Sequence, residues 1–192
     1  MEMIRKNSLL LLILAIVSTA YSQNNDVIRT GLLNGELTIS TSCMFAEKQS
    51  YFYAHGNLEG YVSPKVSLVG EVYYYLGTTG MAESTFRYNH SLFFGASRHF
   101  TSGNSDFYLG LQPGISLTRL NEIPNNLSQT HSGVNPLFST VAGYNFYVNR
   151  FFHFFVQTRL IAGEHNFDEH KNLSEIRLSA GLGFNLNTIR AK

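Results

Sequence analysis

The chain has no tryptophan, a single cysteine and four prolines in 192 residues. With only Cys43 present, an intrachain disulfide is excluded. Charged residues make up 14% of the chain, well under the ~25% of ordinary soluble domains. The formal net charge is +1, so there is no basic field of the kind that nucleic acid requires. The one long apolar run, "LLLLILAIV" at residues 9–17, is too short for a membrane-spanning helix, which needs roughly 20 residues. These shortages exclude a disulfide scaffold, a nucleic-acid binder and a helical membrane protein, and the scarcity of charge raises the question of what solvent the surface meets.

That apolar run follows Arg5 and Lys6 and precedes small residues at Ala20 and Ser22. A basic patch, a short apolar stretch and a small-residue site read as a secretory signal, with cleavage after Ser22. The alternative is a retained N-terminal anchor. A lipid anchor at the cleavage site has no thiol, because Cys43 lies far beyond it. The predicted organisation is a signal peptide at 1–22 and one domain at 23–192. Removing Glu2, Arg5 and Lys6 takes the acidic count from 13 to 12 and the basic count from 14 to 12, so the remaining chain is neutral.

What the chain has in abundance is glycine (16), phenylalanine (15) and tyrosine (11). No helical period stands out after the leader. Alternation of period two recurs instead, broken by turn signals. Eight segments result: 35–46, 51–62, 66–76, 88–100, 107–118, 136–148, 150–166 and 173–187. In the seventh, Phe152, Phe154, Val156, Thr158, Leu160 and Ala162 form one oily face, while the other carries Arg159. Links after the second, fourth and sixth segments are short. Those after the third, fifth and seventh (77–87, 119–135 and 163–172) are longer and polar. The short link around "EKQS" breaks this trend. Short turns at one end and longer loops at the other match a transmembrane up-and-down barrel.

Alternation alone does not say which face is inside, since a lipocalin-like soluble barrel alternates with its oily face inward. Three features favour oily-out. First, the non-oily face is built from glycine and small polar residues, as in Tyr108, Gly110, Gln112, Gly114, Ser116 and Thr118, where a soluble exterior would carry many more charges. Second, Glu59, Glu71, Arg159, Glu175 and Arg177 all fall on this register. Arg159 and Arg177 are equidistant from the last loop, and the third strand of an eight-strand ring lies across from the seventh, so Glu71 is within reach of Arg159. Buried charges persist when paired, and these five residues form a predicted lumen charge network. Third, the oily faces run for about 9–11 residues, enough to cross a bilayer at a tilt. Aromatics gather at strand ends, with Phe45, Tyr51, Tyr74 and Tyr88 at one and Phe100, Phe107, Phe146 and Phe152 at the other, as an interfacial girdle requires.

The predicted fold class is therefore all-β: a single eight-stranded antiparallel up-and-down transmembrane β-barrel. On this architecture, and on the last strand "SAGLGFNL" at 179–186, with Phe184 and Leu186 near its end, the chain resembles the small outer-membrane β-barrels of Gram-negative bacteria, the OmpA/OmpX-like group. The match differs in that the chain continues through "NTIRAK" past the usual terminal aromatic. The resemblance implies export to the outer membrane, contact with outer-membrane lipids, insertion by the barrel-assembly machinery, and extracellular ligands, if any, at loops 77–87, 119–135 and 163–172.

No motif names a reaction, and no catalytic, cofactor-binding or metal residue is assigned. Lipid A deacylase-like barrels pair His with Ser two residues on; here the residues two after His90, His99 and His153 are Leu92, Thr101 and Phe155. His165, His170, Glu164, Asp168 and Glu169 share a loop, but their spacing fits no structural metal site, and a solvated polar loop is the simpler reading. Eight strands leave a lumen filled by side chains, with Tyr53, Tyr73, Tyr75, Phe93, Tyr108 and Tyr147 on the inward register. The expected role is structural or surface-interacting and non-enzymatic. The alternatives are a soluble lipocalin-like barrel holding a small apolar ligand, and a membrane-embedded lipid-modifying enzyme.

Overall fold

The period-two segments all become strands. A computed structural model of the chain describes residues 27–78, 84–121, 131–167 and 170–188; the leader and its cleavage site lie outside these. The elements are β1 (Leu32–Met44), β2 (Ser50–Ser63), β3 (Val66–Thr78), β4 (Phe86–Ser102), β5 (Ser105–Leu120), β6 (Gly133–Tyr147), β7 (Phe152–His165), the two-residue β8 (Lys171–Asn172) and β9 (Glu175–Asn187). Each strand pairs antiparallel with its neighbour, and β9 pairs with both β7 and β1. The ring therefore closes as β1–β7 plus β9, eight strands in all, with β8 a short extension against the end of β7. Closure leaves no edge strand, so the wall can meet its own backbone hydrogen bonds in a medium that offers none.

Short turns join β2 to β3, β4 to β5 and β6 to β7 at one end, which also holds both ends of the described chain: Gly31 N–H donates to Tyr61 O and Thr188 N–H to Gly31 O, each at 2.9 Å. In the β4–β5 turn, Ser102 pairs with Ser105 across two residues, and Gly103 takes φ +58°, a left-handed conformation that glycine adopts without a Cβ clash.

The strands run further than the sequence pattern predicts. Gly77, Thr78, Phe86 and Arg87 belong to β3 and β4, Arg119, Leu120 and Gly133–Asn135 to β5 and β6, and Gly163–His165 to β7. The loops are correspondingly shorter than 77–87, 119–135 and 163–172. These strand ends rise beyond the oily band, where polar residues keep the ladder but lose the alternation that marks a strand in sequence. Between Phe86 and Tyr88 the β4–β5 register shifts by one residue, a bulge at Arg87.

Candidate functional site

The orientation of the two faces is the first functional fact. The oily register is outside: Leu37, Phe94 and Leu111 are 78%, 62% and 60% exposed. The polar register is inside, where Arg159 and Arg177 are among the largest fully buried side chains. The lumen is not the oily face that a lipocalin-like barrel turns inward: carboxylates, amides, hydroxyls and two guanidinium groups share it with packed aromatic and aliphatic side chains. Among the expected girdle aromatics, Phe45, Tyr74, Phe100 and Phe107 are exposed, while Tyr51 is buried. Tyr51 corrects the expectation: its ring faces inward and packs edge-on to Phe86 with centroids 6.3 Å apart. The unbroken alternation of β2 sets this direction: Tyr51, Tyr53 and His55 share the inward face, while Phe52 and Ala54 face out, so a place at a strand end does not by itself make an aromatic interfacial.

Four of the five residues of the predicted lumen network meet near the centre and the loop end. Glu71 on β3 is the hub. Its Oε2 accepts from Gln157 Nε2 at 2.9 Å and from Tyr73 OH at 3.1 Å, and lies 2.9 Å from His55 Nε2. Its Oε1 accepts from Gln112 Nε2 at 3.1 Å and from Arg159 Nη2. Arg159 on β7 also donates from Nη1 to Ser139 Oγ at 2.6 Å, with its guanidinium 4.5 Å from the Phe93 ring centroid. Arg177 on β9 donates to Glu175 Oε1 at 2.5 Å and to Ser91 Oγ at 2.6 Å, and lies 4.0 Å from the Tyr53 centroid. Charge-assisted hydrogen bonds and aromatic faces thus hold both buried cations, although Arg177 Nε has no hydrogen-bond partner among the described residues.

Glu59, the fifth residue, belongs to a separate cluster nearer the turn end. Its Oε1 accepts from Ser67 Oγ at 2.6 Å and lies 3.2 Å from His99 Nε2. His99 Nδ1 lies 2.8 Å from Asp106 Oδ2, which also accepts from Tyr61 OH at 3.0 Å. Nearby, Glu36 Oε1 lies 3.0 Å from His153 Nε2, and Glu36 Oε2 accepts from Asn57 Nδ2 at 2.9 Å.

Sequence reasoning missed Glu36, Asp106, His55, His99 and His153. Glu36 and His55 were legible, since each alternates with an outward neighbour, Leu37 and Ala54. Asp106 was not, because it lies just before the predicted segment at 107–118, in the polar stretch that reads as a turn. The described lumen thus buries five carboxylates (Glu36, Glu59, Glu71, Asp106 and Glu175) with two arginines, and three histidines stand beside the carboxylates.

The aromatic plug forms as the register requires. Tyr53, Tyr73, Phe93, Tyr108 and Tyr147 are all buried and Tyr75 is partly so. Tyr108 OH donates to Gln157 Oε1 at 2.8 Å, which ties the plug to the Glu71 hub.

Of the histidines weighed for catalysis, His99 and His153 are inside the lumen, whereas His90 faces outward between the rings of Tyr74 and Tyr88. Ser91 faces inward and is held by Arg177. The loop histidines separate too: His165 is buried with Nδ1 2.7 Å from Thr118 Oγ1, and His170 is exposed, 3.2 Å from Glu164. Asp168 and Glu169 lie outside the described residues. Among the described residues, no group of three or more His, Cys, Asp or Glu is placed to hold a metal ion.

No protein-family model matches the chain, and no curated protein matches it. Solved structures do. The N-terminal β-barrel domain of Pseudomonas aeruginosa OprF aligns at 15% identity and TM-score 0.55, over 82% of this chain and 98% of that one. Neisserial surface protein A, NspA, aligns at 12% identity and TM-score 0.63, over 80% and 95%. Ail, the attachment invasion locus protein of Yersinia pestis, aligns at 13% identity and TM-score 0.52, over 82% and 99%. The identities are low and the coverage of each barrel is nearly complete, so what is shared is the architecture: this chain has the fold of the eight-stranded outer-membrane β-barrels.

Proposed function

We propose that this protein is an integral outer-membrane β-barrel, exported by a cleaved signal at 1–22, with a structural or surface-interaction role and no catalytic activity. One observation carries the reading: an oily band encircles the barrel while its charges, Arg159 and Arg177 foremost, are buried inside with their partners. In water that surface would be an apolar patch far larger than soluble proteins expose; in a bilayer it is the required exterior. The lumen carboxylates each accept at least one hydrogen bond within a plug of aromatic rings, which supports a bracing role for them.

The loop end faces outward in this reading, as the longer loops of such barrels do, and an extracellular ligand would meet segments 77–87, 119–135 and 163–172. One Ail structure is in complex with the heparin analogue sucrose octasulfate, which supports the idea that a barrel of this shape can take a ligand. Outer-membrane lipids and the barrel-assembly machinery are the partners that insertion would require.

The test is an unboiled and a boiled sample of the membrane fraction run on a denaturing gel. A closed detergent-resistant barrel in the outer membrane migrates faster unboiled and shifts on heating. Recovery in the soluble fraction with no heat shift would overturn the reading.

A further inference from the structure

The oily exterior is interrupted near the loop end of β4 and β5, and the bulge in β4 is the cause. Along β4, Phe86 and Asn89 are buried, while Arg87 is exposed and Tyr88 is half-buried. Two consecutive residues therefore turn outward where an unbroken strand would turn only one, which is what a bulge does to side-chain direction. Tyr88 is paired in register with Arg119 on β5, itself half-buried on the outward side. The bulge thus assembles Arg87, Tyr88 and Arg119 on one patch of the lipid-facing wall.

His90, two residues on, faces the same way, stacked at 4.3 Å on Tyr74 and 5.3 Å on Tyr88. Its Nδ1 accepts the Tyr75 backbone N–H at 3.0 Å, so the ring proton sits on Nε2 and remains to be donated. Tyr88 OH is held by Ser132 Oγ at 2.5 Å, which fixes the ring that separates the two arginines from the histidine. The carboxylate of Glu47 is engaged nearby with Thr85 Oγ1 at 3.2 Å.

Depth decides what this patch meets. From Tyr88 to Phe100 the outward face of β4 rises about 30 Å along the membrane normal at the usual tilt, so the two aromatics bracket the hydrocarbon and Arg87 and Arg119 stand at headgroup level. A cation costs little there, whereas at the midplane it is expelled. Two guanidinium groups at that depth are complementary to a phosphate, which guanidinium binds through paired N–H donors, while His90 lies on the hydrocarbon side of Tyr88.

We propose that Arg87 and Arg119 form a binding site on the outer wall for the phosphate of a phosphorylated glycolipid in the outer leaflet, with Tyr74, Tyr88 and His90 against its sugar and upper acyl region. This rests on the outer-membrane reading above and adds to it a specific lipid contact.

The test uses the barrel purified from membranes in mild detergent, with lipid retention measured by native mass spectrometry. The probes are bis-phosphorylated lipid A and the same lipid with its phosphates removed. The wild-type barrel is expected to retain the phosphorylated form and release the other. Arg87→Gln with Arg119→Gln should lower retention about tenfold or more, the scale of losing charge-assisted contacts, while Arg87→Lys with Arg119→Lys should keep part of it. Arg98→Gln, an outward arginine nearer the turn end, should leave retention unchanged. Equal retention of both lipids, or equal loss with Arg98→Gln, overturns the site. The heat shift, read on every variant, separates the two readings: a barrel that shifts but does not discriminate between the lipids sinks the site alone, and a chain that never shifts sinks the outer-membrane reading with it.

Discussion

Arg159 and Arg177 face each other directly across the β7–β9 ladder, both buried and both positively charged. Two buried cations at adjacent positions are tolerable only because each has its own carboxylate on a different element: Glu71 from across the lumen for Arg159, and Glu175 two residues away on the same strand face for Arg177. The Arg159–Glu71 pair thus links β3 to β7 through the barrel interior, and Arg177 ties β9 to β4 through Ser91.

Removing one member should therefore cost more than removing both. Arg159→Ala leaves Glu71 charged and buried with neutral donors and His55, an expected loss of about 3–5 kcal/mol. Replacing the pair with Glu71→Gln and Arg159→Met should recover much of that. Because the chain has no tryptophan, the folded fraction is read as the unboiled gel band across a urea series in lipid vesicles. A double variant less stable than Arg159→Ala would show that the pair does not work as a unit.

The outer face makes a prediction of opposite character. Leu111 is 60% exposed midway along β5, and Val134 is 55% exposed at the loop end of β6. Leu111→Arg should destabilise the barrel in vesicles by about 2–4 kcal/mol and Val134→Arg by about 0–1, because the cost of a cation falls from midplane to interface. Equal and negligible effects would mean that water, not lipid, covers this surface.

A third prediction concerns the cluster nearer the turn end. His99 lies between Glu59 and Asp106 with Tyr61 and Tyr108 rings 4.6 and 5.6 Å away. His99→Phe keeps a ring for those contacts but withdraws a partner from both carboxylates. The expected loss is about 1–3 kcal/mol for each group left wanting, with the oily exterior and the heat shift unchanged. A neutral result in the urea series would mean that Ser67 and Tyr61 suffice.

These residues also show where sequence legibility ends. The faces were readable because alternation is strict wherever one side meets lipid, and a single misplaced residue would have put Arg159 among hydrocarbon. The Arg159–Glu71 contact was readable because ring closure dictates which strands oppose. His99 and Asp106 were harder, since they sit beside a tight turn where both strands run on past the oily pattern. The bulge at Arg87 leaves no local mark at all: it exists only as a mismatch between β4 and β5, and a mismatch needs two strands. Tyr51 was misplaced for a different reason: its place near a strand end suggested the interface, although its alternation with Phe52 already points it inward.

Glycine offers the last test, because it separates the two faces with a single methyl. Gly183 faces the lumen, where an added Cβ would stand 2.2 Å from His153 Cε1 and 3.0 Å from Glu36 Cγ. Gly183→Ala must push His153 away from Glu36, and crowding of this kind costs about 1–3 kcal/mol. Gly35 faces outward on β1, with nothing within 4 Å of its added Cβ, so Gly35→Ala should be neutral or stabilising by a few tenths of a kcal/mol, as strand glycines generally are when replaced without a clash. The two variants carry the same chemical change a few residues apart on paired strands, and the urea series should separate them clearly. Equal effects would mean that the lumen at this level is loose enough to take a methyl group, and that the Glu36–His153 contact is not held by packing.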